Sequence, residues 1–230
     1  VTEHAGGETD GLNVSPTGWT LLGMLSGGDE LSGYDIKKWL NWSMRFFYSS
    51  PAYSQIYSEL KKLEKQGMVS SRVEGGVRSR RVYKIADVGL AAVTQWANDN
   101  EVEPPTLKHN PLMRVIFGHL LKPGRLREVL QSHAAYADEM HRDAAMEARW
   151  AGEQPAWSYA RLALRWSEDY YAAERERALR MIKDLDAVEE TFAQGGGLAG
   201  RFPLREYWYD VERRIAAEGT GDALGGDAAS

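Results

Sequence analysis

Six apolar residues stand seven apart in the last third of the chain: Trp157, Leu164, Tyr171, Ala178, Leu185 and Phe192. An α-helix returns to nearly the same face every seven residues, so this row predicts a single helix from about Ala156 to Phe192. Its roughly 37 residues span about 55 Å at 1.5 Å each. A second row, Tyr159, Leu162, Ala163, Trp166 and Tyr170, lies on another face. A helix apolar on two faces must be covered on two sides. Its own domain is one cover. A seven-residue seam is what another long helix packs against, so the row from Trp157 to Phe192 is the expected dimer seam.

The segment before it is helical as well. Met113, Ile116, Phe117 and Leu120 form a short amphipathic stretch that Lys122-Pro123-Gly124 breaks. Leu126, Val129, Leu130, His133, Ala137 and Met140 then share one face of a second long helix, and the chain turns between Gly152 and Pro155. After the last long helix, Gly195-Gly196-Gly197 reads as a flexible joint and Leu204, Trp208, Val211 and Ile215 as a short amphipathic helix.

The first third has another grammar. Leu21, Leu22 and Leu25 mark a first helix from Pro16 to Gly27-Gly28. A second runs from about Ser32, a natural N-cap, to Trp42 with Ile36, Trp39 and Leu40 as its stripe. A third opens at Ser50-Pro51, carries Tyr53, Ile56, Leu60 and Leu63 on one face and ends at Gly67. Its opposite face holds Ser54, Ser58, Lys61, Lys62 and Lys65, with Gln55 and Tyr57 on the flanks. A hairpin follows: a strand from Met68 to Val73, a turn at Glu74-Gly75-Gly76-Val77, and a return from Arg80 to Ile85, with Arg78, Arg80 and Arg81 at the tip. A fourth helix covers about Asp87 to Asn98, and Glu103-Pro104-Pro105 is a stiff link.

Charge separates the same two regions. Residues 13–98 hold 11 Lys and Arg against 7 Asp and Glu, although the chain as a whole carries a net −5. A basic first third on an acidic body points to a polyanion as the partner of that third. A helix with short polar side chains fits the major groove: Gln55 suits adenine, Ser54 and Ser58 several bases, and the lysines reach phosphates. An arginine-rich hairpin tip suits the flanking backbone or a minor groove. The expected fold is mainly α with a small β-hairpin wing: a winged helix-turn-helix domain over 13–105 and a long-helix dimerisation domain over 106–194. Residues 1–12 and the end of the 195–230 tail are expected to be disordered.

These residues also carry a resemblance. Leu21-Leu22-Gly23-Met24-Leu25, Leu31-Ser32-Gly33-Tyr34-Asp35-Ile36, Gln55-Ile56-Tyr57 with Leu60-Lys61-Lys62-Leu63-Glu64, and Gly75-Gly76 leading to Arg81-Val82-Tyr83 resemble the PadR family of bacterial transcriptional regulators. Residues 110–193, with Phe117-Gly118-His119-Leu120, resemble the larger C-terminal domain of the subfamily also called virulence activator alpha. The resemblance implies a homodimer whose winged domains read a palindromic operator on double-stranded DNA, and repression relieved by a small, often aromatic, molecule. Tyr34 then joins Ser54, Gln55, Tyr57, Ser58, Lys61, Lys62, Lys65, Arg78, Arg80 and Arg81 as the DNA-binding set. The chain departs from the family pattern at Ser54, where a Gly is common, at Ala86, where a Thr is frequent, and in its Gly-rich tail.

Trp150, Trp157, Tyr159, Trp166 and Tyr170 read either as core and dimer packing or as an aromatic effector pocket. His133 reads as a core histidine, and His119 and His141 form no metal spacing with it. The chain has no cysteine, which excludes disulfides and thiolate metal sites and fits a reducing cytoplasm. No cofactor motif is present: there is no Walker loop, Gly-x-Ser-x-Gly or dinucleotide fingerprint, which argues against an enzyme. No apolar run reaches the roughly 18 residues of a membrane span, and the first residues lack a signal-peptide layout. The rival to a DNA-binding regulator is an interaction module whose winged domain binds a protein.

Overall fold

The structure is a computed structural model that describes residues 14–75, 79–102, 104–197 and 204–217. The chain divides into two compact units: residues 1–108 with 136–174, and residues 109–135 with 175–230.

The first unit begins with α1 (Pro16–Leu25), whose N-cap Ser15 accepts from the Gly18 amide at 3.0 Å and donates to Glu59 Oε2 at 2.9 Å. α2 (Gly33–Trp39) starts in a capping box: the Ser32 hydroxyl accepts from the Asp35 amide while the Asp35 carboxylate accepts from the Ser32 amide. The helix continues as a π-helical turn over Leu40–Met44, a widening that no residue spacing in the sequence predicts. α3 (Tyr53–Lys65) brings Ile56, Leu60 and Leu63 onto Leu21, Leu22, Leu25, Ile36 and Leu40, and all eight side chains are essentially inaccessible. Tyr53 remains 46% exposed and takes no part in that core.

Two boundaries differ from the sequence reading. Pro51 lies ahead of α3 instead of in its first turn, since Ala52 is the extended N-cap and Gln55 Oε1 accepts from its amide at 2.8 Å. The wing is three-stranded: β1 (Leu31–Ser32), β2 (Val69–Glu74) and β3 (Arg80–Ile85) lie in the order β1-β3-β2, all antiparallel. A two-residue strand is too short to show alternation, so β1 leaves no pattern in the sequence. Glu74 pairs with Arg80 in register and belongs to the strand, not the turn. α4 (Asp87–Asp99) returns over the core, with Trp96 stacked on Trp19 at 5.5 Å. Gly89 permits that return: a Cβ there would lie 2.1 Å from the Met68 carbonyl oxygen.

The same unit includes the facing halves of α6 (Arg125–Gly152) and α7 (Ser158–Gln194). Ala137, Ala144, Ala148 and Ala151 are small enough for α6 to close onto Leu164 and Tyr171, and Phe46 completes that core. In the second unit, α5 (Asn110–Ile116) and a 3-10 turn (Gly118–Leu120) accompany the other halves of α6 and α7. Its core is Leu126, Leu130 and Leu185, with Val115, Leu121, Met181 and Ile182 packed around them. His133 meets His109 edge to face at 4.8 Å. α8 (Leu204–Ala217) is amphipathic as expected, with Trp208 49% exposed. Among the described residues no helix is long and apolar enough to cross a membrane.

Four residues of the row expected to be a dimer seam are buried within the chain, while Trp157 is 42% exposed and Phe192 half-buried. Leu164, Tyr171, Ala178 and Leu185 are buried, at 7% exposure or less, and the first two pack on α6 alanines while Leu185 packs on Leu126 and Leu130. The second row is what α7 leaves open: Tyr159 is 89% exposed, Leu162 69% and Trp166 55%. A seven-residue repeat shows that a helix has a packing partner but not whether that partner is its own chain.

Candidate nucleic-acid interface

Burial of Ile56, Leu60 and Leu63 turns the other side of α3 outward, and Ser54, Gln55, Tyr57, Ser58, Lys61, Lys62 and Lys65 are all exposed. Lys62 pairs with Glu59 at 2.6 Å. Lys61 and Lys65 hold no ion pair among the described residues. Gln55 uses its amide oxygen to cap α3, which fixes the side chain at the helix start and leaves its NH₂ donors outward.

α2 positions this helix. Lys37 Nζ donates to Ser50 Oγ and to the Pro51 carbonyl, both at 2.7 Å, which ties down the segment entering α3. The Tyr57 ring lies against Gly33, where a Cβ would come within 2.6 Å of it, so a side chain at this position would push the ring aside. Tyr57 therefore packs as well as faces outward. Tyr34, on the first turn of α2, is 61% exposed.

On the wing, Arg80 and Arg81 stand on β3. Arg80 bonds Glu74 at 2.6 Å and lies 3.6 Å from Asp35, and Arg81 donates to Ser71 Oγ at 2.8 Å. The Asp35 carboxyl is held below its usual range: burial opposes the shift, but hydrogen bonds from Ser32 and the Arg80 charge outweigh it. Arg78 lies outside the described residues.

The aromatic residues fall into separate groups. Trp157 stacks on Trp39 at 5.0 Å, Trp39 meets Trp42 at 5.1 Å, and Trp42 stacks on Trp150 at 6.3 Å, making one row of four indoles. Beside it, Asp35, Lys38, Trp39 and Trp42 line a cavity of about 240 Å³. Trp166 and Tyr170 stack on each other at 5.2 Å, and Tyr159 stands apart in solvent.

Sequence reasoning missed the link just after the π-helical turn. Arg45 bonds Asp143 at 2.7 Å and Glu147 at 3.2 Å, and the Tyr171 hydroxyl donates to the Phe46 carbonyl at 2.8 Å. Glu147 is 1% exposed, and its Oε2 has no hydrogen-bond partner among the described residues. Burial pushes its carboxyl up to about 7, with Arg45 opposing and Asp143 adding to the shift. Burial also pushes the Tyr171 phenol up. Partners about a hundred residues apart leave no spacing to read.

Three helices, a solvent-facing third helix and a strand pair behind it define a winged helix-turn-helix. Residues 21–95 match the model of the Transcriptional regulator PadR-like family. The negative transcriptional regulator PadR of Bacillus subtilis is 33% identical over 101 residues, 43% of this chain and 54% of that protein, so the match spans about half the relative's length. Crystal structures of the same relative exist with operator DNA (TM-score 0.62, 22% identity, 72% of this chain, 96% of that one) and with p-coumaric acid (TM-score 0.58, 22% identity, 73% and 97%). A PadR-like transcriptional regulator from Bacillus cereus aligns at TM-score 0.63 with 23% identity over 74% of this chain and 98% of that one. The Vibrio cholerae virulence activator AphA aligns at 0.59 with 22% identity over 75% and 99%. The fold thus extends to the long C-terminal helices of these regulators.

Proposed function

We propose that this protein is a sequence-specific DNA-binding transcriptional regulator, acting in the cytoplasm as a homodimer on a palindromic operator and repressing transcription there. The observation that carries this reading is the outward face of α3, which exposes Gln55, Ser54 and Ser58, suited to base edges, beside Lys61 and Lys65, which hold no ion pair among the described residues and suit phosphates. Arg80 and Arg81 supply the wing contacts, and Arg78 is assigned to the same set from its place in the sequence. The division into a DNA-binding region before residue 105 and a dimerising region after it is part of the same proposal. So is the dimer contact, which falls on apolar surface the chain leaves open: Tyr159, Leu162 and Trp166 on α7, and Ile116, Leu120 and Val188 in the second unit. A planar aromatic effector releases the operator by binding more tightly to the DNA-incompetent arrangement. Trp150 and Trp157, already stacked on Trp42 and Trp39, would report it by fluorescence.

Fluorescence anisotropy on DNA from upstream of the protein's own gene tests the reading. Saturable, sequence-dependent binding that weakens steeply with salt is expected. Binding that is absent, or insensitive to salt, would instead favour a protein partner for the winged domain.

A further inference from the structure

Residues 136–174 contain eight acidic residues and four basic ones, and all four basic residues line one groove. The groove holds about 640 Å³ between α6 and α7 within the first unit. Arg142 and Arg149 come from α6, two helical turns apart; Arg161 and Arg165 come from α7, one turn apart. Arg142 pairs with Asp138 at 2.6 Å, whereas Arg149, Arg161 and Arg165 hold no ion pair among the described residues. Of the two acids in the lining, Asp143 is engaged by Arg45, and Glu168 forms no ion pair among the described residues. Ala145 and Ala148 form an apolar floor.

One arginine has room made for it. Gly152 ends α6, and a Cβ there would lie 3.2 Å from both the guanidinium carbon and Nε of Arg161. Chance scatter of surface charge would not gather every cation of an acidic stretch on facing sides of one groove. Guanidinium groups are planar forks that match carboxylate and phosphate oxygens in pairs. Two such forks on each wall, two turns long on one side, suit a small molecule with oxyanion groups at both ends of a short body.

We propose that this groove is a binding site for a small di- or trivalent oxyanion, a polycarboxylate or a phosphate-bearing metabolite. The site is separate from α3 and does not depend on the DNA-binding reading. Isothermal titration of the full-length protein without DNA tests it, using citrate and inorganic pyrophosphate against acetate at matched ionic strength. One saturable site per chain is expected for citrate, pyrophosphate or both. Citrate alone identifies the ligand class as carboxylate, and pyrophosphate alone as phosphate. Arg149→Gln with Arg165→Gln should weaken that binding at least about ten-fold without changing the melting temperature of the free protein, since these side chains are exposed. Absence of saturation with either probe, binding that survives the double variant, or binding lost equally in Lys61→Ala/Lys65→Ala on α3 would overturn the proposal.

Discussion

In the winged core, Leu21, Leu22, Leu25, Ile36, Leu40, Ile56 and Leu60 have no exposed surface, and three helices and a sheet close around them. In the second unit the core cluster is Leu126, Leu130 and Leu185, next to a groove of about 640 Å³ lined by Val115, Met181 and Val188. Ile116, Leu120 and Val188 there remain 66%, 67% and 59% exposed. The core of the first region closes on its own helices and sheet, with Phe46 alone buried against α6 and α7, whereas the second holds out apolar surface that water covers poorly. A winged domain complete by itself can keep its α3 face polar and free for DNA. The incomplete unit is where a second copy has most to contribute.

The contrast is broken most severely at Gly89. Gly89→Ala drives a methyl into the Met68 carbonyl, and α4 must move off the winged core. We expect a loss of about 3 kcal/mol or more in thermal or urea unfolding, beyond the usual overpacking penalty. A near-neutral Gly89→Ala would show that the winged core is looser than its burial implies.

Next in size is a pH effect where Phe46 and Arg45 meet α6. The Glu147 carboxyl is raised from 4.5 to about 7, so the folded chain binds its proton more tightly than the unfolded chain does. Stability from this group is therefore present at low pH and declines as pH rises through the window from 4.5 to 7, by up to about 3 kcal/mol. Urea unfolding of wild type and Glu147→Gln at pH 5 and pH 7.5 checks the sign. The wild type should lose more stability than the variant on going to pH 7.5, and the opposite order would refute the buried, under-bonded carboxylate.

The second unit is sharpened by Ile116→Asp with Leu120→Asp. Both side chains are mostly exposed, so the monomer should retain its helicity, while dimer affinity falls by roughly a hundred-fold, about 2.7 kcal/mol. Sedimentation over a concentration series reads it. An unchanged dimer would move the interface to Tyr159, Leu162 and Trp166.

The smallest effect falls on α3. Gln55→Ala removes a helix cap as well as a base contact, so it should lower stability by about 0.5–1 kcal/mol and also relax preference at one base per half-site by about 1–3 kcal/mol. Gel shifts with single-base operator variants separate these effects, because a pure cap loss weakens every sequence alike.

The legible parts of this molecule were those whose partners lie close in sequence. The Ser32 N-cap, the Ile56, Leu60 and Leu63 stripe, the end of α3 at Gly67 and the Arg80–Ile85 strand all follow from short spacings, whereas the return bond from Asp35 was not read. The seven-residue row announced burial at Leu164, Tyr171 and Leu185 but could not say that α6 would provide it. The Trp39–Trp157 stack, the Arg45 link to Asp143 and Glu147, and the arginine groove join residues from separate segments, where no periodicity connects them. The outward face of α3 was readable because it is the complement of a buried stripe. Which of its side chains double as structure, as Gln55 and Tyr57 do, was not.

The salt dependence of DNA affinity in wild type and in Lys61→Ala/Lys65→Ala tests the central claim most directly. If α3 lies on DNA with both ammonium groups at phosphates, the wild-type plot of log affinity against log salt is steep. The variant slope is then shallower by about 3.6 for the dimer, at roughly 0.9 for each of the four phosphates no longer neutralised by the two chains. A flat wild-type plot, or a variant with the same slope and affinity, would contradict the assignment of this face to DNA.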